Sequence, residues 1–470
     1  MRELNSVERA WHTIGQHGSA NAVRSFRIRG PLTHTLADQA FEGVLRVYPI
    51  LRCRILENPA DRRLCFREHP VWPRVRCCRF DDAPPSPSYL AALAEDLLNR
   101  PIQPDREPVL DFVFLQGPAD EHWVLVNFHH AISDGMTMVA VMGCFLRLCD
   151  AALLGEDSYR EVLEQEQAKG DLSPSLTACF ARDGLVHQAT AALRFAGRRM
   201  LQEARYRALK PGPAPAHSAR GARAGHTVPR CRVYETHIAA EWAERLRSRA
   251  RTLGLTFNAV FTAALLRAVK RTLFPQRSRA NISCVTFVNL RSRCKPEVPL
   301  DAVGCYISAA FSFHAMNQLQ PLLDIARDYR QQLAAASEED VFVQARAANV
   351  MTRTLFALRR TTAATLSVSN VGQVANRLAS RSFEVMEIHV HSALSGVGST
   401  ISVGLTMTRQ RLSFDATYLE GVVAESDVRA VVTATLQELD QFEACEFGAG
   451  SVPTSEYRRA KGQVEQHVQL

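Results

Sequence analysis

Two adjacent histidines, a carboxylate four residues beyond the second, and a glycine after it occur together in His129-His130-Ala131-Ile132-Ser133-Asp134-Gly135. An imidazole with an ordinary pKa of about 6.5 can both accept and return a proton at neutral pH. The carboxylate supplies a means of holding the base in place, and the glycine can accept a tight backbone turn. This combination points to acyl transfer. Attack of an alcohol or amine on a thioester needs a base for the acceptor's proton and later an acid for the departing thiol.

The flanking residues say how such a group would be presented. Trp123-Val124-Leu125-Val126-Asn127-Phe128 reads as a buried strand, and the apolar stretch Met136 to Leu148 as a packed helix. The motif therefore falls on a strand-to-helix turn, where rigid elements hold side chains at the end of a sheet. Elsewhere, Leu36 to Val47 and Ser88 to Leu98 have helical periodicity, and Cys65 to Phe80 contains strand-like pieces. Further on, Ala239 to Leu253, Phe257 to Leu273, Pro321 to Ala336 and Ser426 to Phe442 read as helices. Ile282 to Val288, Phe383 to His391 and Gly404 to Phe414 read as strands.

At 470 residues the chain exceeds what one core usually organises, and its 46% hydrophobic content suits a globular protein. The net charge of +8 is local: residues 194 to 232 hold ten basic side chains against Glu203 alone, which accounts for the whole excess. Lys210 to Ser218 in that belt is rich in proline and glycine, the mark of a domain boundary. The expected division is 1–195, a basic linker 196–232, a second domain 233–450 and a polar tail 451–470. The belt reads either as a solvated linker or as a face for coenzyme A phosphates, an acidic acyl carrier protein or an anionic membrane. Nucleic acid is not expected, because no recognition module accompanies the charge. The first twenty residues lack the apolar core of a signal peptide, and no run approaches 18 uninterrupted apolar residues. A cytoplasmic protein without a transmembrane segment is expected, with peripheral membrane contact left open. The twelve cysteines include no CxxC pair and read as reduced.

His129 to Gly135 resembles the HHxxxDG motif of the chloramphenicol acetyltransferase-like superfamily, which includes condensation domains, alcohol O-acyltransferases and polyketide-associated acyltransferases. Other segments are similar to family landmarks in the same order: Arg46 to Arg54, with Tyr48 where histidine is usual, Asp105 to Val113, Val288 to Arg293, Val303 to Ser308 and Ser369 to Gly372. The resemblance implies an α/β fold of two chloramphenicol-acetyltransferase-like sandwiches in a V with a central tunnel. It implies His130 as general base, His129 as its structural neighbour, and direct attack without an acyl-enzyme. No GxSxG elbow argues otherwise. By the same resemblance Asp134 pairs with Arg291, or failing that Arg293, and shapes the loop with Gly135. Ser369 and Asn370 are candidates for oxyanion or tunnel contacts, or for stabilising the turn at Gly372. No tightly bound cofactor is implied. A coenzyme A or phosphopantetheine thioester would be the donor, and an alcohol or amine the acceptor.

Other readings of these residues remain. A metal site at His129, His130 and Asp134 is disfavoured, because adjacent histidines diverge on a strand. His389 and His391 share a strand face and read as tunnel-lining or, more simply, as satisfied structural histidines. Gly396-Val397-Gly398 is a fragment of a dinucleotide fingerprint and reads as a turn. The condensation-domain "Y-x-D-Y-A-x-W" and "H-Q-D-x-P-F" segments are missing, which favours a stand-alone O-acyltransferase. A stand-alone amide-forming condensation enzyme and a non-catalytic carrier-docking protein are the alternatives.

Overall fold

The structure is a computed structural model describing residues 2–168, 174–176, 190–198, 201, 229–336, 339–357, 364–394 and 399–444. The polar tail, most of the basic belt and Gly396-Val397-Gly398 lie outside the described residues. Two large sheets carry the architecture. One has five strands in the order Glu384–Ser392, Asn21–Arg29, Glu121–His129, Leu110–Gln116 and Val75–Arg79. The other has six: Ile307–Asn317, Arg279–Asn289, Ala364–Gln373, Ser399–Met407, Arg411–Leu419 and Cys231–Ala239. A small third sheet joins Arg2–Glu3, Leu64–Glu68 and Cys53–Glu57. With helices packed on these sheets the fold is α/β, as the resemblance implies.

The two halves of the sequence are not two closed units. The strand Glu384–Ser392 comes from the second half but pairs antiparallel with Asn21–Arg29, from Glu384 opposite Arg29 to Ser392 opposite Ala22. The expected second domain, 233–450, therefore gives one strand to the sheet that ends in His129. The reason is apolar burial: Ile388 and Val390 join the first lobe's core with Phe26, Phe112 and Phe145. The second lobe has its own core around Phe261, Leu405, Phe414 and Val431. A single strand expected over Gly404 to Phe414 is instead a hairpin, Ser399–Met407 and Arg411–Leu419. Thr408 turns the chain: its Oγ1 accepts from the Arg411 amide at 3.2 Å, and its own amide donates to the Arg411 carbonyl at 2.9 Å.

The helix Gly135–Leu154 is long and apolar enough to cross a membrane, with mean hydropathy 1.8 in its best window, and 72% of that window is buried inside the protein. It is the central helix of the first lobe, where Val141, Phe145 and Leu148 pack against Phe41, Val44 and Leu45. Only the five residues His130 to Asp134 separate its first turn from the histidine strand, so the core that fixes the helix also fixes the motif.

The N-terminal helix Ser6–Gln16 is absent from the sequence reading, although its signal is present. Val7, Ala10, Trp11 and Ile14 fall on one face, and Asn5 with Glu8 forms a capping box. The Asn5 side chain accepts from the amides of Val7 and Glu8 at 2.9 and 3.0 Å, and Glu8 accepts from the Asn5 amide at 2.8 Å. The far end of the basic belt ties the lobes together. Arg230 and Arg232 pair with Asp96 and Glu95 on the helix Pro87–Asn99, and Asn99 exchanges two hydrogen bonds with the Cys231 backbone. All ten cysteines among the described residues are free thiols.

Candidate active site

The strand Glu121–His129 ends where His130 opens a short 3-10 turn to Ile132, and Asp134 then caps the helix Gly135–Leu154. The Asp134 carboxylate accepts from the Thr137 amide at 2.9 Å, so the helix start and the motif are one structure. This geometry anchors His130 at both ends. Its amide donates to the Ala20 carbonyl, and its own carbonyl accepts from the Ser133 amide.

The His130 ring lies flat on the indole of Trp11, with centroids 3.9 Å apart and planes 7° from parallel. Only 6% of the residue is exposed. Its Nδ1 is sealed in protein without a regular hydrogen-bond partner, so the open part of the ring is the opposite edge. Burial lowers the His130 pKa to about 4, and the positive charge of Arg24 adds to the shift. Its own peptide group, that of Ser133 and the Asp134 charge act the other way. The ring is therefore neutral at physiological pH, the form a base requires. His129 is fully buried; its Nδ1 accepts from the Ala131 amide at 3.2 Å, and burial lowers its pKa to about 3. Its Nε2 faces Gly15, where an added Cβ would sit 2.9 Å away.

Asp134 faces Arg291, not Arg293. The two form a bidentate pair across the lobes, Nη1 to Oδ2 at 2.6 Å and Nη2 to Oδ1 at 3.0 Å, with the Arg291 side chain 0% exposed. Asp134 Oδ2 also accepts from the Tyr306 amide at 2.9 Å, and the Arg291 guanidinium lies over the Tyr306 ring. Burial alone would raise the Asp134 pKa, but Arg291 and the Thr137 and Tyr306 amides hold it below the usual range. A second bridge runs beside it: Thr137 Oγ1 donates to the Gly304 carbonyl at 2.8 Å. All four acceptor directions of the carboxylate are thus engaged by protein, which leaves none for a substrate.

Gly135 has a different role from the one its type suggests. It is not among the glycines at positive φ, so no tight turn requires it. A Cβ there would stand 2.9 Å from Val371 Cγ2, so glycine permits close approach of the strand Ala364–Gln373. Gly135→Ala should therefore cost about 1–3 kcal/mol by overpacking. Denaturant titration should show the loss, and Val371→Ala in the same chain should recover most of it.

On that strand, Asn370 accepts from the Gly372 amide at 2.8 Å, holding a bulge at which Gly372 adopts φ +82°. This is the turn-stabilising contact, and Asn370 also donates to Asn258 at 3.3 Å. Ser369 is half-buried opposite Gly404. His389 and His391 are engaged structurally. His389 Nδ1 lies 2.7 Å from Asp415 and His391 Nε2 lies 2.8 Å from Glu235, so the pair joins the two sheets. Glu235 and Asp415 push the His389 pKa well up against the opposing effect of burial. Among the described residues no group of histidine, cysteine and carboxylate side chains is arranged to hold a metal. Trp11 completes the site from a segment that no motif marks, Thr137 stands two residues past the motif, and Tyr306 falls within the landmark Val303 to Ser308.

Residues 12–169 match the condensation-domain family, and residues 228–417 match the family described as phthiocerol/phthiodiolone dimycocerosyl transferase C-terminus. No curated protein sequence matches. Among solved structures, polyketide synthase associated protein 5 from Mycobacterium tuberculosis is similar at TM-score 0.64 and 14% identity, over 93% of this chain and 97% of that one. The first condensation domain of the calcium-dependent antibiotic synthetase, in complex with a substrate analogue, is similar at TM-score 0.70 and 13% identity, over 94% and 97%. Trichothecene 15-O-acetyltransferase from Fusarium sporotrichioides is similar at TM-score 0.68 and 13% identity, over 94% and 95%. At such identities the structural likeness is one of fold, and the two family matches carry the assignment along the sequence. With HHxxxDG at the junction of two sheets and its aspartate tied across the lobes, the chain belongs to the chloramphenicol acetyltransferase-like condensation superfamily.

Proposed function

We propose that this protein is an acyltransferase that moves an acyl group from a coenzyme A or acyl-carrier thioester to an alcohol, forming an ester in lipid, polyketide or other secondary-metabolite synthesis. The observation that carries this reading is the state of His130: a neutral imidazole, backed by Trp11, with one edge open and its loop locked by Asp134 and Arg291. The acceptor hydroxyl gives its proton to that edge as its oxygen attacks the thioester carbonyl. The tetrahedral adduct then collapses with cleavage of the carbon–sulfur bond, and the imidazolium returns the proton to the leaving thiolate. No acyl-enzyme is needed. Holding both reactants in line supplies much of the rate, since orientation is worth several kcal/mol.

A cavity of about 280 Å³ in the second lobe suits the donor. Arg247, Arg251 and Asn258 offer charge and hydrogen bonds to phosphate, while Phe257 and Met407 offer an apolar floor to a pantetheine arm. The cavity reaches Asn370 and Gly372, the residues on either side of the Val371 that touches Gly135. The donor would thus approach the motif along the strand that braces it.

The pH dependence follows from His130. With its pKa at about 4, kcat/KM should stay level from pH 8 to about 5 and fall near 4; an acid limb near 6.5 would contradict a buried, neutral base. Stability has the same sign. His129 and His130 titrate lower folded than unfolded, so their contribution is complete above about pH 6.5 and is lost as pH falls toward about 4 and 3. Thermal melts across this range separate the two effects.

The test is product detection by mass spectrometry with a panel of acyl-CoA donors, a carrier-loaded donor, and alcohol and amine acceptors. Ester product supports the proposal. Amide product alone would move the protein to the condensation enzymes, and tight donor binding without any product would mark a docking protein.

A further inference from the structure

Arg24 is a buried cation that the mechanism above does not use. It lies on the strand Asn21–Arg29, between Val126 on the histidine strand and Val390 on the strand given by the second half. Only 5% of the residue is exposed, and it makes no ion pair among the described residues. The carboxylates whose fields it feels, Asp134 and Asp415, are already committed. Asp134 is held by Arg291, Thr137 and Tyr306, and Asp415 accepts from His389 and from the Val390 amide. Arg24 Nη1 donates to the carbonyls of Val23 and His391. Its other N–H groups have no acceptor among the described residues. Unlike the Nε atoms of Arg27, Arg52 and Arg291, they are not sealed in protein. A guanidinium buried without a counter-ion is costly, and a fork with free donors fits a carboxylate.

Its position places that fork in the seam between the sheets. Val390, its neighbour on the same face, packs so closely on Gly404 that a Cβ there would lie 2.3 Å from Val390 Cγ2. Gly404 stands opposite Ser369, and two residues further along the same strand Val371 meets Gly135. The charge of Arg24 is felt at both His130 and Asp134.

We propose that Arg24 is a specificity-determining residue that binds a carboxylate carried by one of the two substrates, the free donors of its guanidinium supplying the counter-charge on the strand that pairs with the one ending in His129. This rests on the acyl-transfer reading and narrows it to a substrate with an anionic group. The carboxylate belongs either to the acyl chain or to the acceptor, and paired probes distinguish them: succinyl-CoA against butyryl-CoA, and 3-hydroxybutyrate against its methyl ester.

Dissociation constants for the four probes should be measured by calorimetry on the His130→Ala protein, in which binding is read without turnover. The expected result is a tenfold or greater preference for the charged member of one pair, reduced to near unity by Arg24→Gln and partly restored by Arg24→Lys. The pair that discriminates names the source. Equal or undetectable binding of both members in both pairs overturns the proposal, as does a preference that survives Arg24→Gln. If the glutamine variant does not fold, Arg24→Lys decides: a preference unchanged from the parent protein overturns the proposal, and a weakened one supports it. Product formation by wild type is scored separately, so a failure of acyl transfer is distinguished from a failure of charge recognition.

Discussion

Asp134→Ala is expected to destabilise the protein by about 3–5 kcal/mol, because it leaves the fully buried Arg291 guanidinium without its counter-ion. The loss is not confined to one ion pair. Asp134 also satisfies the amides of Thr137 and Tyr306, so alanine frees the first turn of the central helix and the segment carrying Tyr306 together. Arg291 keeps its bond to the Ala302 carbonyl at 2.9 Å, which tethers the charge but does not neutralise it. Combining Asp134→Ala with Arg291→Met should cost less than the sum of the single changes, since the second substitution removes the stranded charge. Thermal and denaturant unfolding of the four proteins tests this. A soluble, fully folded Asp134→Ala protein with turnover abolished would instead favour a direct part in catalysis.

His130→Ala should show the opposite pattern. The ring makes no regular side-chain hydrogen bond that the fold depends on, and its main protein contact is the stack on Trp11. Stability should therefore fall only modestly, by about 1 kcal/mol for the lost stack beyond the area term. Turnover should fall by about 10²–10⁴-fold, the usual contribution of a positioned base, with donor KM little changed. Steady-state kinetics beside a melting curve separates the two sites. Asp134 carries stability first and turnover through it, whereas His130 carries turnover first and stability only through its stack and its burial.

The difference between these two residues could be read only in part from the sequence. The motif itself was legible because its residues are local and sit between a strand and a helix with clear periodicity, Trp123 to Phe128 and Met136 to Leu148. Arg291 lies 157 residues from Asp134, and only the resemblance pointed to it. Trp11 was not readable as part of the site: Val7, Ala10, Trp11 and Ile14 mark a helical face behind the Asn5–Glu8 capping box, but nothing in that face shows that it meets a histidine more than a hundred residues away. Gly135 was misread for a physical reason: a glycine retained for a neighbour's approach looks, in sequence, the same as one retained for positive φ. The placement of Glu384–Ser392 in the first sheet was not readable either. Strand alternation shows that a strand exists but not which sheet accepts it. Arg24 showed no sign of its setting, since an arginine on an alternating strand reads as an exposed residue until the second half covers it.

Whether His130 acts as the base of a direct transfer is decided by single-turnover kinetics of wild type and His130→Ala with a donor and acceptor pair that yields product, with intact-protein mass recorded at each time point. Wild type should give product without any acylated protein, and the folded variant should do so at a rate at least a hundredfold lower. Comparable rates from the two proteins, or an acyl-enzyme that forms and decays on the path to product, would contradict direct transfer with His130 as the base.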